Sequence, residues 1–220
     1  MIVGQDLRKV QGGRAVLDGA TVAVHPGEHI VLTGNNGSGK TTLLHLLVGL
    51  RRPDAGEVRW KDTVLTGAGG AAWSRAREAW GFLPQHPRFP EEVSPRALAR
   101  HHARLRGVNQ ASAMSWIARV GLEDTADRPV EALSGGMRQR LGIALTLFHD
   151  PELIVMDEPA SSLDAEWREA LAGWLAEAAG SGAGVLITSQ DRASFDPVTL
   201  WLHCALGRVS PEPSGTRRVS

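Results

Sequence analysis

Eight consecutive residues constrain this chain more than any others. Gly34-Asn35-Asn36-Gly37-Ser38-Gly39-Lys40-Thr41 follows the short apolar run His29 to Thr33 and precedes the apolar run Thr41 to Leu50. A strand, a glycine-rich turn and a helix in that order match G-x-x-x-x-G-K-[ST] in its required setting. The glycines let successive backbone N–H groups turn inward around phosphate oxygens, and the helix start adds its positive dipole end. In such a cradle Lys40 reaches the β- and γ-phosphates, the Thr41 hydroxyl holds Mg²⁺, and Thr42 stands beside it in the first helical turn.

A second element lies far downstream. Leu153-Ile154-Val155-Met156 is an unbroken apolar strand, and Asp157-Glu158 follows at its C-terminal end, the edge at which α/β sheets bind ligands. Asp157 is placed to hold Mg²⁺, and Glu158 to orient or deprotonate an attacking water. A plainer reading makes the acids here helix caps, since Glu158 precedes Pro159 and Asp164 directly precedes the helical stretch at Ala165.

Short unbroken apolar strands alternating with helices describe a mostly parallel sheet covered on both faces. The expected elements are Ala15 to Val24, His29 to Thr33, a hairpin of Glu57 to Trp60 with Thr63 to Thr66, Leu153 to Met156 and Val185 to Thr188. The expected helices are Thr41 to Leu50, Ser94 to Leu105, Ser112 to Val120, Leu133 to Phe148 and Ala165 to Ala179. Gly67 to Ala72 reads as a flexible loop and the segment after Gly207 as loose. From about 86 to 132 strand signals stop, which points to a helical insertion. With 42% hydrophobic and 22% charged residues over 220 positions, the chain needs no disulfide or metal staple to fold. Its single cysteine, Cys204, excludes a disulfide framework.

Leu133-Ser134-Gly135-Gly136-Met137 resembles the LSGGQ signature of ATP-binding cassette (ABC) proteins. With the phosphate loop, Gln85 after Gly81-Phe82-Leu83-Pro84, Asp157-Glu158 and Ser161-Ser162-Leu163-Asp164 in order, the chain resembles the stand-alone nucleotide-binding subunit of an ABC transporter, with a lean toward exporter-type ATPases. The resemblance implies an α/β P-loop NTPase fold: a mostly parallel sheet flanked by helices, an N-terminal antiparallel β portion and an inserted α-helical subdomain. It divides the chain into one ATPase domain over 1–208, its α/β core 1–85 and 133–208 and its helical subdomain 86–132, with a loose tail over 209–220. It implies ATP and Mg²⁺ as ligands, Gln85 at the Mg²⁺ and water site, and Asp164 communicating between two sites. Two cassettes would pack head to tail, with Ser134, Gly135 and Gly136 of one closing on the γ-phosphate of the other. The surface around Gln85, His86 and Phe89 to Ser94 would receive a helix of an integral membrane subunit.

Three positions depart from the family pattern. Gln11 stands where the family usually stacks adenine on an aromatic ring, so base selectivity is expected to be loose. Met137 replaces the last signature residue. Gln190 occupies the place of the switch histidine; an amide donates a hydrogen bond but cannot act as an acid, so slower hydrolysis is expected. His203, further on, reads as a half-buried strand residue.

Lysine plus arginine and aspartate plus glutamate both number 24, so the chain lacks the basic excess of a nucleic-acid binder. No stretch approaches a membrane span, and Met1 to Val10 lacks the apolar segment of a signal peptide. The expectation is a cytoplasmic ATPase held at the inner face of the membrane by its partner. The alternatives are a nucleotide-dependent regulatory module with little turnover, or an ABC protein without a transport role.

Overall fold

The computed structural model describes residues 1–190, 195 and 197–212. Its chain begins with β1 (Ile2–Gln11) and β2 (Arg14–Val24). These pair antiparallel to the register Gln11 opposite Arg14. Gly12 and Gly13 between them have φ of 54° and 76°, the left-handed pair that a two-residue hairpin needs. On the other edge of β1 runs β4 (Ala55–Trp60), which carries the short β5 (Thr63–Val64). The result is a four-stranded antiparallel sheet ordered β2-β1-β4-β5.

The second sheet has six strands. These are β3 (His29–Thr33), β6 (Trp80–Leu83), β7 (Leu153–Met156), β8 (Gly184–Thr188), β9 (Leu200–Ala205) and β10 (Arg208–Pro211), in the order β10-β9-β3-β8-β7-β6. Only the β10–β9 pairing is antiparallel. Every residue of β3, β7 and β8 is buried, as strands covered on both faces must be. Successive side chains enter opposite cores, as the two-residue period dictates. Leu153 and Val155 join one core, while Ile154 and Met156 join the other.

The first core fills the space between the two sheets around α1 (Lys40–Leu47), whose Leu43, Leu44, Leu46 and Leu47 are all fully or nearly fully buried. Trp80 anchors its far side, edge-on to Trp60 at 5.5 Å and to Trp73 at 6.4 Å. The second core lies under α6 (Ala165–Gly180), through Leu171 and Leu175. The third joins α3 (Pro95–Leu105) and α4 (Gln110–Arg119) to α5 (Gly135–Leu147). Ser94 caps α3, its hydroxyl accepting from the Ala97 N–H, with Pro95 in the first turn, the arrangement the sequence signals.

Two expectations are corrected. Gly67 to Ala72 is not wholly a loop, because α2 (Gly70–Glu78) begins inside it. Small residues open that helix, and its larger packing residue, Trp73, comes only after them. Nor is the segment from residue 209 loose from its start. Arg208–Pro211 pairs with β9, and the Glu212 N–H donates to the Trp201 carbonyl at 2.9 Å. Pro211 is tolerated because β10 is an edge strand. Residues 213–220 lie outside the described residues.

Candidate nucleotide site

The C-terminal ends of β3, β7 and β8 meet the start of α1, and the site is built there. Gly34 has φ 143°, and a Cβ on it would lie 2.3 Å from the Cys204 carbonyl oxygen, so no side chain fits. The loop then passes over β9, where the Cys204 thiol donates to the Ser38 carbonyl at 3.2 Å. Gly39, with φ 109°, starts α1 without any side-chain cap. Its N–H groups are therefore available to an anion.

A cleft of about 360 Å³ opens over this turn. It is lined by Asn36, Gly37, Ser38, Gly39, Lys40, Thr41 and Thr42 from the loop and α1, by Gln85 after β6, and by Glu158 after β7. Gln11 and Val16 complete the wall from the antiparallel sheet. Gly34 and Asn35 lie behind it, their carbonyls accepting from Lys40 Nζ at 2.7 and 3.4 Å. Lys40 Nζ also stands 3.8 Å from Glu158 Oε1, with both side chains largely buried.

Asp157 sits beneath, only 1% exposed. Its Oδ1 accepts from the Thr188 hydroxyl at 2.7 Å, while the buried Oδ2 has no protein partner. The same Thr188 oxygen accepts from the Glu158 N–H at 2.7 Å. Thr188 thus binds both acids. Glu158 has φ 47°, a conformation a non-glycine residue keeps only when its surroundings hold it. Gln190 reaches the site from the end of β8, Nε2 donating to Asn36 Oδ1 at 2.9 Å and lying 3.5 Å from Glu158 Oε1.

A buried carboxylate oxygen without a partner needs a cation or a proton. Asp157 Oδ2, with the Thr41 hydroxyl and the Gln85 side chain on the same cleft, gives the hard oxygen donors that suit Mg²⁺. Four of the expected site residues, Ser134, Gly135, Gly136 and Asp164, lie elsewhere. Ser134 caps α5, its hydroxyl accepting from the Met137 N–H at 3.2 Å, and Ser134 and Gly135 are exposed. Gly136 packs toward the Ser162 carbonyl, 3.0 Å from where a Cβ would be. Asp164 caps α6 by accepting from the Trp167 N–H at 3.0 Å, the plainer of its two readings. None of them lines the cleft of its own chain. Gln139 of α5 nonetheless connects the two regions, donating to the Pro159 carbonyl at 3.0 Å next to Glu158.

The sequence reading passed over Thr188 and Val16. Thr188 carried a signal, since a polar residue ends an otherwise apolar buried strand. Val16 carried none. His203 is half-exposed, with Nδ1 3.0 Å from the Thr33 hydroxyl and 3.3 Å from Glu212.

Residues 17–161 match the family model described as ABC transporter. This chain belongs to the ABC transporter family. Among proteins of that family, it is 35% identical to the Nod factor export ATP-binding protein I of Ralstonia nicotianae over 84% of this chain and 58% of that protein. It is 34% identical to the zinc import ATP-binding protein ZnuC of Pseudomonas entomophila over 81% of this chain and 64% of that protein. It is 38% identical to the sulfate/thiosulfate import ATP-binding protein CysA of Bradyrhizobium diazoefficiens over 78% of this chain and 51% of that protein. The chain therefore spans between half and two thirds of the length of these relatives. Import and export are both represented among them.

The ABC fold is equally evident in solved structures. An ATP-binding subunit of an ABC transporter superposes with a TM-score of 0.86 at 25% identity, over 96% of this chain and 89% of that one. A dimeric bacterial ABC transporter cassette superposes with a TM-score of 0.88 at 22% identity, over 96% and 98%.

Proposed function

We propose that this chain is the ATP-binding and ATP-hydrolysing subunit of an ABC transporter, working with Mg²⁺ and driving transport by an integral membrane subunit. The observation that carries the proposal is that Lys40, Thr41, Gln85 and Glu158 share one cleft, with the buried Asp157 next to Glu158 in the chain. Backbone N–H groups of Gly37 to Lys40 bind the phosphates, and Lys40 exchanges its carbonyl contacts for phosphoryl oxygens. Thr41, Asp157 and Gln85 would hold Mg²⁺, which when bound neutralises charge on the β- and γ-phosphate oxygens. Glu158 orients the attacking water and accepts its proton. Gln190 positions the γ-phosphate side of the site by holding Asn36, and its amide cannot take part in proton transfer.

Ser134, Gly135 and Gly136 present a hydroxyl and a helix N-terminus to solvent, away from their own phosphate loop. A second cassette packed head to tail gives them a γ-phosphate to close on, so nucleotide stabilises the pair and hydrolysis opens it. Asp164 lies at that same boundary. The membrane subunit docks beside Gln85, at a cleft of about 170 Å³ lined by Pro84, Pro87, Phe89 and Arg106 among others. No helix among the described residues is long and apolar enough to cross a membrane, and the proposed location is the cytoplasmic face, reached through the partner. Nucleic acid has no part in this reading.

The test uses Glu158→Gln, which keeps binding and removes the base, so the nucleotide-bound pair accumulates. The tagged variant is solubilised from native membranes with Mg²⁺ and ATP, and what co-purifies is identified. A multi-span membrane protein supports the transporter reading. Soluble partners alone, with ATP still bound, would replace it by a nucleotide-dependent regulatory module.

A further inference from the structure

A second cleft lies at the opposite end of α1 and takes no part in the reaction above. It measures about 410 Å³ and is walled by Arg51 and Arg52 after α1, Thr66 from the link into α2, and Gly70, Trp73 and Arg77 of α2. No carboxylate lines it. Among the described residues, none of the three arginines has an ion-pair partner, although all three are exposed. Three like charges around one concavity repel one another and concentrate positive potential inside it.

The walls are held by the rest of the fold. Gly49 ends α1 with φ 70°, and a Cβ there would lie 2.3 Å from the Trp73 ring, so the indole packs flush on the backbone. Trp80 fixes the other side of that indole from the core. The Thr66 hydroxyl accepts from the Val58 N–H and fixes the loop. The helix that Gly70 opens has no side-chain cap and no acidic residue in its first turn. Its first N–H groups therefore lack an anionic partner on the chain, and an anion at this end is favoured.

We propose that this cleft binds a phosphate-bearing anion, held by Arg51, Arg52 and Arg77, with Trp73 flanking the ligand. Guanidinium groups fit phosphoryl oxygens in pairs of parallel hydrogen bonds, and the uncapped start of α2 adds N–H donors. The phosphoryl group can belong to a soluble phosphate ester or to a phospholipid headgroup, and the chemistry of the cleft is the same for both. The site does not depend on the nucleotide reading, since no residue is shared between the two clefts.

The phosphate loop is first saturated with a non-hydrolysable ATP analogue. Pyrophosphate is then titrated by calorimetry, and binding to phosphatidylcholine vesicles with and without phosphatidic acid is followed by co-sedimentation. Each of Arg51→Ala and Arg77→Ala weakens binding about tenfold, and the double variant by more than about fiftyfold, for loss of charge-assisted hydrogen bonds. Analogue affinity and melting temperature stay as in the parent chain. Lys40→Ala has the converse effect, losing the analogue and keeping pyrophosphate. Pyrophosphate binding identifies a soluble ester as the source, and binding only to phosphatidic acid vesicles identifies a headgroup. If neither probe binds, or if binding survives the double substitution, the proposal is overturned.

Discussion

Gln190 Nε2 and Asn36 Oδ1 are 2.9 Å apart, so the second residue after β8, although exposed, is tied to the phosphate loop. The same nitrogen is 3.5 Å from Glu158 Oε1. The amide thus spans the loop and the proposed base. Gln190→Ala should lower ATP turnover by about tenfold, the value of one hydrogen bond to a charged or polarised group, with a smaller change in nucleotide affinity. Gln190→His should raise turnover several-fold, because an imidazole adds proton transfer. Steady-state phosphate release measures both, and turnover unchanged or lowered in Gln190→His would show that the amide is not what slows the reaction.

Asp157 makes a prediction of opposite signs. Its Oδ2 is a buried carboxylate oxygen without a protein partner, which costs stability in the absence of a cation. Asp157→Asn should raise the melting temperature of the nucleotide-free chain by a few degrees, equivalent to about 1 kcal/mol. It should also weaken Mg²⁺ dependence of turnover at least about tenfold. A melting curve in chelator and a Mg²⁺ titration of activity read the two effects separately.

How much of this was legible in the residues differs by element. The phosphate loop and the Asp157-Glu158 strand end were visible because their chemistry is local and contiguous. β7 was visible because it is apolar at every position, and β3 because Ile30, Val31 and Leu32 form an apolar run between His29 and Thr33. α2 was hidden behind Gly67, Gly69 and Gly70, and β6 is only four residues long, too short for a period to show. β10 carries Pro211 and takes its place only by pairing with β9, a non-local fact. The bridging role of Thr188 is also non-local, since Asp157 and Glu158 come to it from 31 and 30 positions away.

The wall of the cleft formed by Gln11, proposed to face the base, offers a gain of function. Gln11 lines it and its buried Nε2 has no hydrogen-bond partner. Gln11→Tyr should tighten ATP binding about tenfold, since stacking a base on an aromatic ring is worth about 1–3 kcal/mol. Direct binding of ATP and GTP to both forms measures it. Equal affinities before and after would remove Gln11 from the base-binding wall.

The loop geometry is strict at one position. With φ 143° and a carbonyl oxygen 2.3 Å from any Cβ, Gly34→Ala must move the loop or β9. A loss of about 3 kcal/mol or more of stability is expected, together with nucleotide binding. Chemical denaturation and a binding isotherm would detect both.

Acid should destabilise this chain through one buried histidine. Burial lowers the His149 pKa to about 4, and Arg106 and His102 nearby act in the same direction. His149 Nε2 lies 3.3 Å from the Trp80 carbonyl, and its buried Nδ1 has no partner. The unfolded chain takes up a proton at this ring below about pH 6.5, whereas the folded chain resists until about pH 4. Stability is therefore full above the unfolded value and falls as pH drops between the two. Allowing for partial solvent contact, the loss at pH 5 is about 1 kcal/mol. His149→Gln should flatten the decline of melting temperature between pH 7 and pH 5, and an unchanged slope would assign the decline to other groups.

α5 belongs to two cores at once. Ile143 and Leu147 are set in the core under the parallel sheet, while Leu141, Ala144, Leu145 and the capping Phe148 are set in that of α3 and α4. A helix gripped on both flanks serves as an axle and not as a hinge. Ser134 at its tip cannot swing by itself, and any tilt of α3 and α4 must turn the whole shaft. Gln139 ties that shaft to the Pro159 carbonyl, so the helical insertion and the residue after Glu158 are joined by a route that does not include the phosphate loop.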